Sequence, residues 1–227
     1  MPTNFGRKLP LTKLEAQAIQ RHLQYQKRWR DLALFMLGVD SLLRSSDLLK
    51  LRMRDVTDNQ GNIRTYLSQR QKKTRRPVEC YLSEPTREVV AHWISISDKS
   101  ANAFLFTRLK SRKDINTSIS STMYRLLVKQ WVEAIGLDPS RYSTKSLRKS
   151  RVRPILEAAN HDYQVPQILL GHADIRSTIH YAAIAEETAL AVSAQVQFFT
   201  PLHFEPSPQP SGKSGKKFDE TTERRTK

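Results

Sequence analysis

Lys145 and Arg148 stand three residues apart in the run S-T-K-S-L-R-K-S at 143–150, a spacing that puts two cations on one face of a helix. Downstream, L-L-G-H places His172 directly after a glycine helix stop, and Tyr181 follows nine residues later. Arg44 sits in L-L-R-S-S-D-L-L-K-L at 42–51, at a junction between apolar helical runs, and Lys72 and Lys73 lie in a cation-rich connection at 69–77. An arginine beside two leucines is expensive to bury without an anionic partner, which is either Asp47 or an anionic ligand. Together these side chains suit phosphodiester chemistry through a covalent intermediate. That reaction needs an oxygen nucleophile, charge relief on the phosphoryl oxygens and a proton for the leaving oxygen. Guanidinium groups offer paired planar donors and stay charged at any working pH, and a tyrosine phenol needs a cationic surrounding to be activated. Each residue also has a plainer reading: His172 as a core histidine, with His161 or His180 nearer the pocket, and Tyr181 as a packing tyrosine. At this point both readings of His172 and Tyr181 stay open, as do Lys72 and Lys73.

The elements that must position these residues follow from periodicity. Thr12 and Glu15 form a capping box for a helix to about residue 24, packed through Leu14, Ala18, Ile19 and Leu23. A largely buried helix begins near Trp29 with Leu32, Phe35, Met36 and Val39, and Asp47, Ser45 or Ser46 caps a further one with Leu48 and Leu51 inward. From residue 55 to 82 the period becomes strand-like: Ile63, Thr65 and Leu67, then Val78, Cys80 and Leu82, alternate with polar neighbours and predict an antiparallel hairpin. Helices are expected after Ser83 with Pro85 in the first turn, from Ser120 to Ile135 ended by Gly136, and from 144 to 159 with a kink or break at Pro154. A short helix is expected from Pro166 to Leu170, stopped by Gly171, a connection holds His172, and Tyr181 leads into a helix through about Val196. The expected class is α+β, mostly α-helical with a small antiparallel sheet.

With 227 residues and 38% hydrophobic content the chain can bury a sizeable core. Its 38 Lys and Arg against 22 Asp and Glu give a net charge of +16, and the cations recur inside amphipathic segments, which points to a folded basic face and a polyanionic partner. No apolar run approaches the ~20 residues needed to span a bilayer, and the N-terminus lacks a signal-peptide core, so a cytoplasmic protein is expected. The single cysteine, Cys80, permits no internal disulfide and reads as a small core residue on a strand. Asp55, Asp58, Glu79 and Glu84 form no paired-carboxylate metal cluster, and no glycine-rich phosphate loop is present. The stretch 201–227 is rich in Pro, Ser, Gly and Lys and reads as a flexible basic tail.

The combination of 42–51, Lys73-Thr74, Lys145-x-x-Arg148, Leu169-Leu170-Gly171-His172 and Tyr181 resembles the active-site set of the tyrosine recombinase (phage integrase) family over roughly residues 10 to 200. The resemblance implies a catalytic domain at 11–200 preceded by an N-terminal arm at 1–10. Its catalytic set would be Arg44, Lys73, Lys145, Arg148, His172 and Tyr181. Arg44 and Arg148 would hold the phosphoryl group, His172 would bond a non-bridging oxygen, Lys73 would protonate the 5′ oxygen, and Tyr181 would form a 3′-phosphotyrosine. The family needs neither metal nor ATP, so no cofactor is expected. Two departures stand out. Lys145 occupies a position where the family usually has histidine, and residues 1–43 are too short for the helical DNA-binding domain that most members carry.

The implied partner is double-stranded DNA. A monomer in solution would assemble as a homo-tetramer on paired sites, residues 188–199 would be the segment passed to a neighbour, and an accessory DNA-binding protein would supply further grip. The setting would be a bacterial nucleoid, plasmid, phage or other mobile element. Two alternatives keep the same pocket: a non-catalytic DNA-binding relative or accessory factor, motivated by Lys145 and the missing clamp domain, and a type IB topoisomerase-like relaxing enzyme.

Overall fold

The computed structural model describes residues 8–108 and 117–182, with the side chains of residues 180–182 outside the description. Helix α1 (Lys13–Tyr25) starts where the capping box requires: Glu15 N donates to Thr12 Oγ1 at 3.2 Å and Thr12 N to Glu15 Oε2 at 2.7 Å. Ile19 and Leu23 are fully buried, but Leu14, expected to join them, is 75% exposed. Five helical positions rotate a side chain by about 140°, so Leu14 cannot share the Ile19 face. Leu11, just before the cap, takes the inward place instead.

Helix α2 (Trp29–Asp40) is buried from Arg30 to Gly38 and packs on α1, on α5 (Glu84–Ser97) and on α7 (Thr144–Ser150). A single turn, α3 (Ser45–Leu48), follows Arg44, and a second, α4 (Met53–Val56), leads to the hairpin. The strands are β1 (Tyr66–Arg70) and β2 (Pro77–Tyr81), antiparallel, with Leu67 opposite Cys80 and Gln69 opposite Val78. Leu67, Val78 and Cys80 face the core, and burial pushes the Cys80 thiol up to about 12. The first strand begins at Tyr66 rather than Ile63. Asp58 Oδ1 accepts from Gln60 N and Asn62 N, and that turn leaves Ile63 in a separate bridge to Thr57.

Helix α5 follows Ser83, whose N and Oγ both donate to Asp40 Oδ2 and so tie it to the end of α2. In α6 (Ser121–Glu133) the cap is Ser120, and Gly136 at φ +80° ends the segment. A 3-10 turn (Pro139–Arg141) leads into α7 and α8 (Val152–Ala158). The expected break falls at Arg151, because Pro154 has no N–H to offer the carbonyl of Ser150 four residues earlier. Helix α9 (Gln164–Leu170) stops at Gly171, φ +59°. The last helix, α10 (Ile175–Ala182), begins six residues before Tyr181, so Tyr181 lies inside it and does not introduce it.

Among the described residues most buried apolar side chains form one core spanning residues 11 to 147; a satellite of Leu42, Val152, Leu156 and Leu170 holds α8 and α9. Residues 8–11 lie along the 3-10 turn and α7, through Leu9 N to Arg141 O at 3.0 Å and Leu11 N to Ser150 Oγ at 2.9 Å. Among the described residues no helix is long and apolar enough to cross a membrane.

Candidate active site

Arg44 reaches the surface between two cores. After α2, Leu42 adopts φ +52° and inserts into the satellite cluster, while Leu43 enters the main core. A leucine in the left-handed region is uncommon and persists where packing on both sides over-determines it. The two leucines thereby fix where Arg44 emerges. Its Nη1 donates to Gln71 Oε1. Asp47 is not its partner, because the Asp47 carboxylate accepts instead from Lys72 N at 3.0 Å, across the base of the hairpin turn.

In that turn Gln71 is 1% exposed, whereas Lys72 and Lys73 are exposed. Gln71 Nε2 donates to Leu170 O at 2.9 Å, and Thr74 Oγ1 donates to Gln71 Oε1 at 2.9 Å. On α7, Ser143 caps the helix, Lys145 is exposed, and Arg148 is buried with Nη2 donating to Leu170 O at 2.6 Å. The third segment is the α9–α10 connection. Gly171 allows it to approach the hairpin: a Cβ there would lie 2.6 Å from Val78 Cγ1 and 2.7 Å from Gln71 Nε2. His172 follows, 8% exposed, with Nδ1 at 3.0 Å from the buried Thr178 Oγ1, and Gln167 O accepts from its backbone N–H at 3.1 Å. Desolvation, then the charges of Arg148 and Arg44, lower the His172 pKa to about 4, so its ring is neutral near pH 7.

These segments converge on a cleft of about 400 Å³, lined by Arg44, Lys73, Lys145, Arg148 and His172. Five of the six residues singled out from sequence, from four separate segments, thus share one wall system. Lys73 lines the cleft and Lys72 does not. Leu43 and the hydroxyl groups of Ser45, Ser46, Thr144 and Ser177 also line it, and among the described residues no carboxylate does. Tyr181 lies in the final turn of α10; its side chain, like that of His180, is outside the described residues, and His161 is exposed and does not line the cleft. Four cations and a neutral imidazole around a space this size suit a phosphate group and its ester oxygens. Among the described residues no cluster of three or more His, Cys, Asp or Glu could hold a metal ion. A more apolar groove of about 530 Å³ between α1, α2 and α5 contains none of these side chains.

Two buried residues with direct bonds to the site were invisible in sequence. Gln71 carried only the weak signal of an uncharged residue in a run of cations, and Thr178 carried none beyond its place three residues before Tyr181.

Residues 10–188 match the family model described as the phage integrase family, and the chain belongs to that family. It is 29% identical over 184 residues to the probable integrase/recombinase YoeC of Bacillus subtilis (strain 168), covering 80% of this chain and 93% of that protein. Among solved structures, XerA recombinase superposes with a TM-score of 0.67 at 15% identity, over 85% of this chain and 67% of that one. XerH site-specific recombinase, in a post-cleavage complex with palindromic difH substrate, gives 0.66 at 19% identity, over 84% and 54%. The chain therefore spans nearly all of YoeC and about half to two thirds of the two solved recombinases, whose likeness establishes the fold.

Proposed function

We propose that this chain is a DNA strand transferase, a site-specific recombinase that cleaves and rejoins duplex DNA through a 3′-phosphotyrosine. The observation that carries the reading is the convergence of Arg44, Lys73, Lys145, Arg148 and His172 on one cleft. Ser177 lines that cleft, and the Tyr181 position follows it by four residues in the same helix, the spacing of neighbours on one face.

In the proposed step the Tyr181 phenol oxygen attacks the scissile phosphorus, and the phenolic proton passes to solvent. The bond from phosphorus to the 5′ oxygen breaks, its electron pair goes to that oxygen, and the Lys73 ammonium supplies the proton. Arg44 and Arg148 stabilise charge on the non-bridging oxygens, where preorganised donors matter most in the transition state. A neutral His172 would donate one hydrogen bond there. Lys145, standing where the family usually has histidine, would add a cation to the phosphate site. One phosphodiester replaces another, so the energy of the bond is kept and the reaction requires neither metal nor ATP.

Residues 11–200 would form the catalytic domain, with an arm at 1–10 and a basic tail at 201–227. Four protomers would assemble on paired duplex sites, exchanging residues 188–199, which lie outside the described residues, and an accessory DNA-binding protein would add grip. The protein would act on bacterial chromosomal, plasmid or phage DNA in the cytoplasm.

The test begins with selection of bound duplexes from a random-sequence pool. A selected duplex nicked near the cleavage point should then trap a covalent adduct with the wild type and none with Tyr181→Phe. Identical behaviour of the two proteins refutes the catalytic reading. Tight, salt-sensitive binding without any adduct would assign the chain to the binding class instead, and relaxation of supercoiled plasmid lacking the site would assign it to the topoisomerase class.

A further inference from the structure

We propose that Gln71 is a positioning residue for this reaction: one buried carboxamide ties the first arginine and the hairpin turn that bears Lys73 to the end of the helix before His172. The inference rests on the recombinase reading above. Three side-chain bonds meet at Gln71. Its Oε1 accepts from Arg44 Nη1 and from Thr74 Oγ1, the residue after Lys73, and its Nε2 donates to Leu170 O at 2.9 Å. The same carbonyl accepts from Arg148 Nη2 at 2.6 Å. The main chain of Gln71 is pinned as well, with its N–H donating to Arg76 O at 3.0 Å and its carbonyl accepting from Arg75 N at 2.9 Å, which closes the turn carrying Lys73. Arg44, Lys73 and Arg148 are thus referred to a single fixed point.

The chemistry of the link explains the residue type. A group that joins a guanidinium to a backbone carbonyl must accept at one end and donate at the other. An amide does both and is uncharged, so the positive charge of Arg44 stays available to an anion in the cleft. A glutamate would accept from Arg44 but set its second oxygen against the Leu170 carbonyl, and its charge would lower the anion affinity of the site. The seat also depends on Gly171, whose missing Cβ leaves room for the carboxamide.

The test uses the full chain and a nicked duplex carrying either the ordinary 5′ oxygen or a 5′-bridging sulfur at the scissile phosphate. A thiolate leaves without a proton, so sulfur removes the need for Lys73. Gln71→Met keeps the length and removes all three bonds. Adduct formation on the oxygen substrate is expected to slow on the order of 10²-fold, the scale of a misplaced reacting group. On sulfur the part of the loss carried by Lys73 should disappear and the part carried by Arg44 remain, so the loss should be smaller but still measurable. Thr74→Val removes one bond at a half-buried position and should give a loss of about fivefold, the size of one neutral hydrogen bond, with the same recovery on sulfur. Rates within twofold of wild type for both variants, or equal losses on oxygen and sulfur, overturn the proposal.

Hydrogen exchange on the free proteins gives a readout independent of turnover. Gln71→Met should lose protection jointly in 42–48, 71–76 and 168–172, and a change confined to 71–76 overturns the coupling. If wild type forms no adduct, the recombinase reading fails, while the exchange result still decides whether Gln71 couples these three segments.

Discussion

Replacing Gly171 by alanine tests the central packing of the site, and Gly136 supplies its control. Both glycines have positive φ, +59° and +80°, and each ends a helical segment. Alanine in that region costs about 1–2 kcal/mol at either position. The gain from a stiffer unfolded chain, roughly 0.4–1 kcal/mol, is also common to both. The surroundings differ. A Cβ on Gly136 meets nothing within 4 Å, whereas one on Gly171 would lie 2.6 Å from Val78 Cγ1 and 2.7 Å from Gln71 Nε2. Neither neighbour yields cheaply: Val78 is a buried strand residue, and Gln71 is held by three side-chain bonds. Overpacking of this kind costs about 1–3 kcal/mol, so Gly171→Ala should be destabilised by that much more than Gly136→Ala. Urea unfolding with an unchanged slope measures the difference directly. In a chain of this size each kcal/mol also lowers the melting temperature by roughly 2–4 °C. Two variants equal within about 0.5 kcal/mol would refute the close approach of the α9–α10 connection to the hairpin.

His172 makes stability depend on pH. Its pKa falls from the usual 6.5 to about 4 in the fold, so the unfolded chain takes up the proton first. The neutral ring's contribution is complete above about pH 6.5 and is lost as pH falls toward about 4. A shift of that size corresponds to about 3 kcal/mol, which solvent reaching the open cleft reduces to about 1–2 kcal/mol. Urea unfolding of wild type and His172→Gln at pH 7.5 and pH 5 should show a smaller loss in the variant, and equal losses would contradict the assignment. On α1, Ile19→Ala should cost about 2–5 kcal/mol. Leu14→Ala should stay within about 0.5 kcal/mol, and thermal unfolding that ranks them otherwise would reverse which face of α1 is inward.

What could be read from sequence was what short-range chemistry decides. The capping box at Thr12, the stops at Gly136 and Gly171 and the alternation of Val78 with Cys80 depend on neighbours a few residues away, and all appear as expected. The turn at Asp58–Asn62, which shortens the first strand, is likewise a local feature, set by the Asp58 carboxylate accepting from Gln60 N and Asn62 N. Leu14 is exposed for an equally local reason, since five helical positions turn it about 140° away from Ile19, and Leu11 before the cap takes the inward place. Arg44, Lys73, Lys145, Arg148 and His172 were legible because each sits in a recognisable run. Gln71 was not, because two of its side-chain bonds reach residues 27 and 99 positions away, and no window of sequence contains them.

The partner of Arg44 bears on how the cleft works. Had Arg44 paired with Asp47, a carboxylate would have cancelled one of the charges offered to a phosphate. The fold instead spends Asp47 on the backbone of Lys72 and gives Arg44 a neutral amide oxygen. Arg148 likewise donates to a carbonyl oxygen of Leu170. The amide oxygen holds the Arg44 guanidinium in place without neutralising it, and like charges line the same space of about 400 Å³. Solvent at the exposed Lys73 and Lys145 relieves part of that repulsion. His172 responds to the remainder: after burial, the two arginines are what hold its ring neutral. The same potential that keeps a proton off His172 favours an anion in the cleft, which is the electrostatic ground for proposing a phosphate there.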